Sequence, residues 1–131
     1  MSTDIRHGRH CVFNLHVHLV FVTKYRKKIF DIEIIRFLKD VFNDVCKKFD
    51  VELIECNGEK DHVHLLIFYQ PKISISKLVN SLKGASSRRL RNTFQDVTEC
   101  YYKNVLWSPS YFAASCGGAP INIIKQYIEN Q

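Results

Sequence analysis

At 131 residues the chain is sized for one domain, and 46% hydrophobic against 24% charged residues supplies enough apolar material for a packed core. Nineteen Lys and Arg outnumber thirteen Asp and Glu, and the net charge of +6 favours an anionic partner, nucleic acid foremost. No apolar run reaches membrane-spanning length and residues 1–10 are polar, unlike a leader. The five cysteines include no C-x-x-C, which argues against a disulfide framework or zinc knuckle and for a reducing cytoplasm.

In chain order, residues 10–23 (HCVFNLHVHLVFVT) are rich in Val, Phe and Leu and predict a first long strand. It carries His16 and His18, two residues apart. The run Lys24, Tyr25, Arg26, Lys27, Lys28 follows. Four cations around one aromatic suit phosphates and a stacked base, or else form a solvated loop. Asp31 can cap a helix reaching about Phe49, with Ile34, Ile35, Leu38, Val41, Phe42 and Val45 at helical spacing. A second strand is expected over VELIEC (51–56), and Asn57-Gly58-Glu59-Lys60 reads as a hairpin turn because Asn-Gly favours one.

The third strand contains Asp61-His62-Val63-His64-Leu65-Leu66-Ile67 and runs to about Tyr69, where Pro71 ends it. Side chains in a strand alternate faces, so His62 and His64 point one way while Val63, Leu65 and Ile67 point the other. Two neutral imidazoles on a rigid strand are a ready pair of metal ligands; they are equally compatible with ordinary sheet histidines.

Ser74 or Ser76 starts a second helix reaching about Phe94, buried through Ile75, Leu78, Val79, Leu82 and Leu90, with Lys77, Arg88 and Arg91 opposite. Its segment 83–91 (KGASSRRLR) is the densest basic run and includes a small-residue patch at 84–87 that admits a backbone or ligand. Lys83, Ser87, Arg88 and Arg91 are therefore candidate DNA contacts, the alternative being a solvated face. Residues 95–104 read as loop. Val105 to Cys116 predicts a fourth strand interrupted by Pro109, hence an edge or bulge position. Gly117-Gly118 is the one hinge candidate, and Pro120 suits the first turn of a last helix over about 120–131.

The order β-α-β-β-α-β plus a terminal helix predicts an α+β, ferredoxin-like or RRM-like antiparallel sheet with both long helices on one face. Strands one and three would be central, and His62 and His64 would face the side those helices leave open. On the last helix Tyr127 and Gln131 are four residues apart and share a face. Two imidazoles and an amide oxygen can hold a metal with open positions, through which a phosphate is polarised. A phenol has a pKa of about 10, and an adjacent cation favours its nucleophilic phenolate form.

DHVHLLI followed by one tyrosine in NIIKQYIENQ resembles the HUH single-tyrosine transposases (TnpA type) of small bacterial and archaeal insertion sequences. HLVFVTKYRKK, KGASSRRL and LWSPSYF extend the resemblance over almost the whole chain. Each motif alone is weak; their order and spacing together are specific. The resemblance implies metal-dependent cleavage and rejoining of single-stranded DNA at hairpin-marked ends through a 5′-phosphotyrosine. It implies Tyr127 as nucleophile, and Mg2+ or Mn2+ on His62, His64 and Gln131. It also implies a homodimer, often with the tyrosine helix of one subunit completing the other's site. Relatives often carry a proline before the Asp, where this chain has Glu59-Lys60. His18 fits a first-strand histidine of relatives that is not a ligand. The competing readings are a non-catalytic RRM-like nucleic-acid-binding module and a related HUH nickase acting on repetitive palindromes or in replication.

Overall fold

The structure is a computed structural model that describes residues 6–7, 11–98, 105–115 and 121–131. Two short strands, β1 (Arg6–His7) and β2 (Val12–Phe13), pair with each other ahead of the main sheet. Asn14 separates them from β3 (Leu15–Val22), so the long first strand expected from the sequence is divided. Then come α1 (Ile32–Lys48), β4 (Glu52–Gly58), β5 (His62–Tyr69), α2 (Ile75–Thr93), α3 (Gln95–Thr98), β6 (Phe112–Ser115) and α4 (Ile121–Glu129). The main sheet has the antiparallel order β4-β5-β3-β6, with the first and third predicted strands at its centre. This is the predicted ferredoxin-like arrangement.

Both central strands follow the period of two. Val17, Leu19 and Phe21 of β3 and Val63, Leu65 and Ile67 of β5 join one buried cluster with α1 and α2. From α1 it receives Leu38, Val41, Phe42 and Val45; from α2, Leu78, Val79, Leu82 and Leu90. A fully buried side chain of this kind contributes about 1.5–3 kcal/mol, so this face fixes the register of both strands. The helix starts are capped as expected: Asp31 Oδ1 accepts from the Ile34 N–H at 2.8 Å, and the Ser74 side chain accepts from the Lys77 N–H.

Further sequence expectations are corrected. Asn57 and Gly58 do not form the hairpin turn; they remain in the ladder opposite His64 and Val63. The turn lies at residues 59–61, closed by Glu59 N–H donating to the His62 carbonyl at 3.0 Å. Glycine at 58 is required by space, because a Cβ there would lie 2.7 Å from the His62 carbonyl oxygen and 2.7 Å from Ile35 Cδ1.

The fourth strand is shorter than residues 105–116. Beyond an isolated bridge from Trp107 to Thr23, pairing with β3 is confined to β6, after Pro109. Proline lacks the N–H that a ladder needs, which accounts for the break, and β6 is an edge strand as expected.

The small-residue patch on α2 seats a side chain of this chain: Trp107 Nε1 donates to buried Ser86 at 2.9 Å, and its ring meets Phe21 and Phe30 edge-on. Residues 95–98 are helical rather than looped. The proposed hinge at Gly117-Gly118 lies outside the described residues.

Candidate active site

The histidine pair sits on the most constrained strand of the sheet. His62 and His64 share a face of β5, with ring centroids 4.9 Å apart. The His64 ring is 5.5 Å from that of His18 on the neighbouring strand. Burial, then the His62 and His18 imidazoles, push the pKa of His64 down to about 4. Burial also lowers that of His18, partly offset by Glu55. His64 is therefore neutral at physiological pH, with a ring lone pair available for a ligand.

His62 is set differently. Its Nδ1 lies 2.8 Å from Asp61 Oδ1, and both residues are buried. A carboxylate only accepts, so the neutral imidazole carries its proton on Nδ1 and keeps its lone pair on Nε2. His16 is buried on the same sheet face as His18: it is 7% exposed and its ring lies edge-on to Phe68 at 4.7 Å.

The turn after β3 approaches this pair. Tyr25 and Arg26 adopt φ of 59° and 53°, a left-handed conformation costing on the order of 1–3 kcal/mol per non-glycine residue. Tyr25 is consequently 67% exposed beside Lys24, whose Nζ is 5.4 Å from the ring centroid. Arg26 turns back, and its Nε donates to Asp61 Oδ2 at 3.3 Å. Lys27 and Lys28 are exposed.

The other candidate residues lie on α4. Ile124 and Ile128 pack on Val20 and Val22 of β3, on the sheet face opposite α1 and α2. Tyr127 is half-buried, with its ring 5.6 Å from that of Phe112 and its hydroxyl 2.8 Å from Ser110 Oγ. Gln131 Oε1 accepts from Ser110 Oγ at 2.8 Å and from Ser108 Oγ at 2.9 Å. One serine hydroxyl thus touches both Tyr127 and Gln131. With its single proton donated to Gln131, it receives that of Tyr127. Burial pushes the phenol's pKa up, partly offset by the Ser110 hydrogen bond.

β3 separates the two halves. His62 and His64 are ladder partners of Val22 and Val20 on one side of β3. Phe112 pairs with Val20 on the other side, where the Ser108 N–H also donates to the Val22 carbonyl. Each strand step is about 4.8 Å, so Tyr127 and Gln131 sit over the β6 side, roughly two steps from the histidine strand. Neither histidine is hydrogen-bonded to Tyr127 or Gln131. A cleft of about 690 Å³ at His62 is lined by Arg26, Lys28, Lys60 and Asp61 and, from α4, by Lys125, Ile128 and Glu129.

The donor set fits a divalent cation: two imidazoles with available lone pairs and one amide oxygen. Among the described residues no three His, Cys, Asp or Glu side chains converge, so a third protein donor would be of another type, as an amide is.

The basic residues of α2 divide into two groups. Arg88 is exposed, and Arg91 Nη1 lies 3.4 Å from half-buried Ser87 Oγ. Lys83 is turned inward, donating to the Ser108 carbonyl at 2.8 Å and the Ser110 carbonyl at 2.7 Å, and burial pushes its pKa down to about 8. It anchors the segment that holds Tyr127 and Gln131. Sequence reasoning did not single out Asp61, Ser108 or Ser110. Only Asp61 had a local signal, its place directly before His62.

Residues 11–131 match the protein family described as Transposase IS200 like. The ISDra2 transposase TnpA of Deinococcus radiodurans is 34% identical over 131 residues, covering 100% of this chain and 94% of that protein. The transposase for insertion sequence element IS200 of Salmonella typhimurium is 31% identical over 122 residues, covering 93% and 80%. A crystal structure described as a transposase from D. radiodurans superposes with a TM-score of 0.89 at 36% identity, covering 96% of this chain and 97% of that one. A REP-associated tyrosine transposase bound to a REP hairpin shares the fold alone, at TM-score 0.57 and 12% identity over 98% of this chain and 69% of that one.

Proposed function

This chain belongs to the IS200-like transposase family, and from that membership we propose that it cleaves and rejoins single-stranded DNA at hairpin-marked insertion-sequence ends, with Tyr127 as nucleophile. The observation that carries the reading is the pairing of Tyr127 and Gln131 on one hydroxyl, over a sheet whose histidine pair keeps ring lone pairs available.

The Tyr127 oxygen attacks the phosphorus at the cleavage site and its proton passes to solvent. The P–O3′ bond breaks, the 3′ oxygen takes a proton to become a free 3′-OH, and the 5′ phosphate stays on the tyrosine. Attack by a 3′-OH on that linkage reverses the step, so rejoining needs no nucleotide cofactor. Burial works against the phenolate, so Ser110 has to turn its proton from Gln131 to the tyrosine oxygen to favour it. His62, His64 and Gln131 would hold a divalent cation such as Mg2+ or Mn2+, which would supply Lewis-acid polarisation of the phosphate.

Arg26 and Lys28 in the cleft at His62, with half-buried Lys24 and exposed Tyr25 and Lys27, suit a DNA backbone and a stacked base. Arg88 and Arg91, with Ser87, offer a second contact surface on α2. Lys83 serves this surface only indirectly, through the loop it anchors.

The division of the site across β3 supports a homodimer in which α4 of one subunit completes the histidine half of the other. We read residues 1–131 as one transposase domain with residues 120–131 as its movable arm. Cytoplasmic work on DNA suits the free thiols of Cys46 and Cys56. The curated relatives are transposases of insertion sequences, so insertion-sequence ends are preferred here over repetitive palindromes as substrate. The histidine pair and the α4 cover argue against a purely binding, RRM-like sheet.

The test is incubation with single-stranded DNA from the flanks of its own gene and Mg2+ or Mn2+. The wild-type chain yields a covalent adduct on a denaturing gel, and Tyr127→Phe yields none while still binding the hairpin. An adduct with the Phe variant contradicts the assignment.

A further inference from the structure

Arg26 stands out because its strained backbone achieves something specific. A left-handed pair at Tyr25 and Arg26 is an expensive way to close a loop, and neither residue is a glycine. The conformation returns the Arg26 guanidinium to the sheet, where Nε meets Asp61 Oδ2 at 3.3 Å. The other carboxylate oxygen, Oδ1, meets His62 Nδ1 at 2.8 Å.

The carboxylate is fixed from its backbone as well. Thr23 N–H donates to the Asp61 carbonyl at 2.9 Å, and Thr23 Oγ1 lies 2.8 Å from the Lys27 carbonyl. The end of β3, the turn and the start of β5 are thereby tied together around one buried acid. Asp61 and His62 are 7% and 6% exposed, so both the ring and its partner are held away from water.

We propose that Asp61 and Arg26 are positioning residues for His62: Asp61 holds the imidazole proton on Nδ1 and aims Nε2 at the sheet's α4 face, and Arg26 holds Asp61. This rests on the reading that His62 binds a divalent cation. Arg26 then serves the site through Asp61, in addition to lining the cleft. His64 receives no such partner; burial first, and then the neighbouring His62 and His18 imidazoles, keep it neutral.

The test uses the full chain without DNA, labelled with 15N-histidine and free of metal near neutral pH. Long-range 1H–15N spectra report which His62 nitrogen carries the proton. Wild type shows it on Nδ1. Asp61→Ala moves it to Nε2 or to a mixture, and Asp61→Asn, whose amide oxygen still accepts, keeps it on Nδ1. Mn2+ affinity, followed by electron paramagnetic resonance, falls ~10–100-fold in Asp61→Ala, the range for losing such an outer partner, and by a smaller factor in Arg26→Gln. Nδ1 protonation persisting in Asp61→Ala, or unchanged Mn2+ affinity, overturns the proposal. Should that variant not fold, unchanged affinity in Arg26→Gln overturns it instead. Absence of Mn2+ binding by wild type contradicts the metal reading itself. An adduct formed by Tyr127→Phe would sink the nucleophile assignment and leave this inference standing.

Discussion

The histidine half and the tyrosine half of the site are held by different physics. His62 and His64 are part of a central strand, laddered on both sides and backed by the main core. Moving them means moving the sheet. Tyr127 and Gln131 ride on α4, a helix of 9 residues, which is too short to be stable alone. It is held to the sheet by Ile124 and Ile128 and by two serine hydroxyls. The half proposed to hold the metal is built in advance, and the half proposed to carry the nucleophile is the one the chain can shift.

The contrast can be broken from either side. Ile124→Ala with Ile128→Ala should act on the tyrosine half. Such truncations cost about 2–5 kcal/mol each in a full core and toward the low end at this two-residue contact. Backbone hydrogen exchange over 121–131 should rise sharply while β3 and β5 stay protected. Equal loss of protection in both would mean that α4 is part of the main core after all. Gly58→Ala strikes the other half. Its new Cβ meets the His62 carbonyl and Ile35, a clash worth about 1–3 kcal/mol. Thermal unfolding should fall, and α4 exchange relative to the global value should not.

The smallest effect is a pH dependence confined to the histidine half. In the fold His64 stays neutral down to about pH 4, whereas the unfolded chain takes up that proton near the ordinary imidazole value of 6.5. His64 therefore contributes its full share above pH 6.5, and stability is lost as pH falls from 6.5 to about 4, then levels. After screening of a partly exposed ring the loss is about 1–2 kcal/mol. Chemical denaturation of wild type and His64→Leu over that range should show the slope only in wild type, superimposed on a smaller slope from His18.

The strands, both long helices, the capping residues and the facing of the histidine pair were legible because each is written in local periodicity. Tyr127 and Gln131 were also legible, since i and i+4 share a helix face whatever the tertiary structure. What escaped was set by contacts distant in sequence. Gly58 carries the local signature of a turn, yet its smallness serves the approach of Ile35 and the strand below. Lys83 sits in the densest basic run, yet its ammonium faces the backbone of Ser108 and Ser110, 25 and 27 residues on. Arg26 looked like one more loop cation until its backbone turned it onto Asp61, 35 residues away. Pro109 foretold a broken edge strand but not that its flanking serines would grip the last helix.

The most direct test of a site divided between subunits is a mixed dimer. One chain carries His62→Ala and His64→Ala, the other Tyr127→Phe, with tags of different size so that only the mixed species is purified. With hairpin DNA and Mg2+, the covalent adduct should form on the histidine-deficient chain alone, because its Tyr127 meets the partner's intact histidines. No adduct on either chain, when doubly tagged wild-type dimers form it readily, would contradict the account.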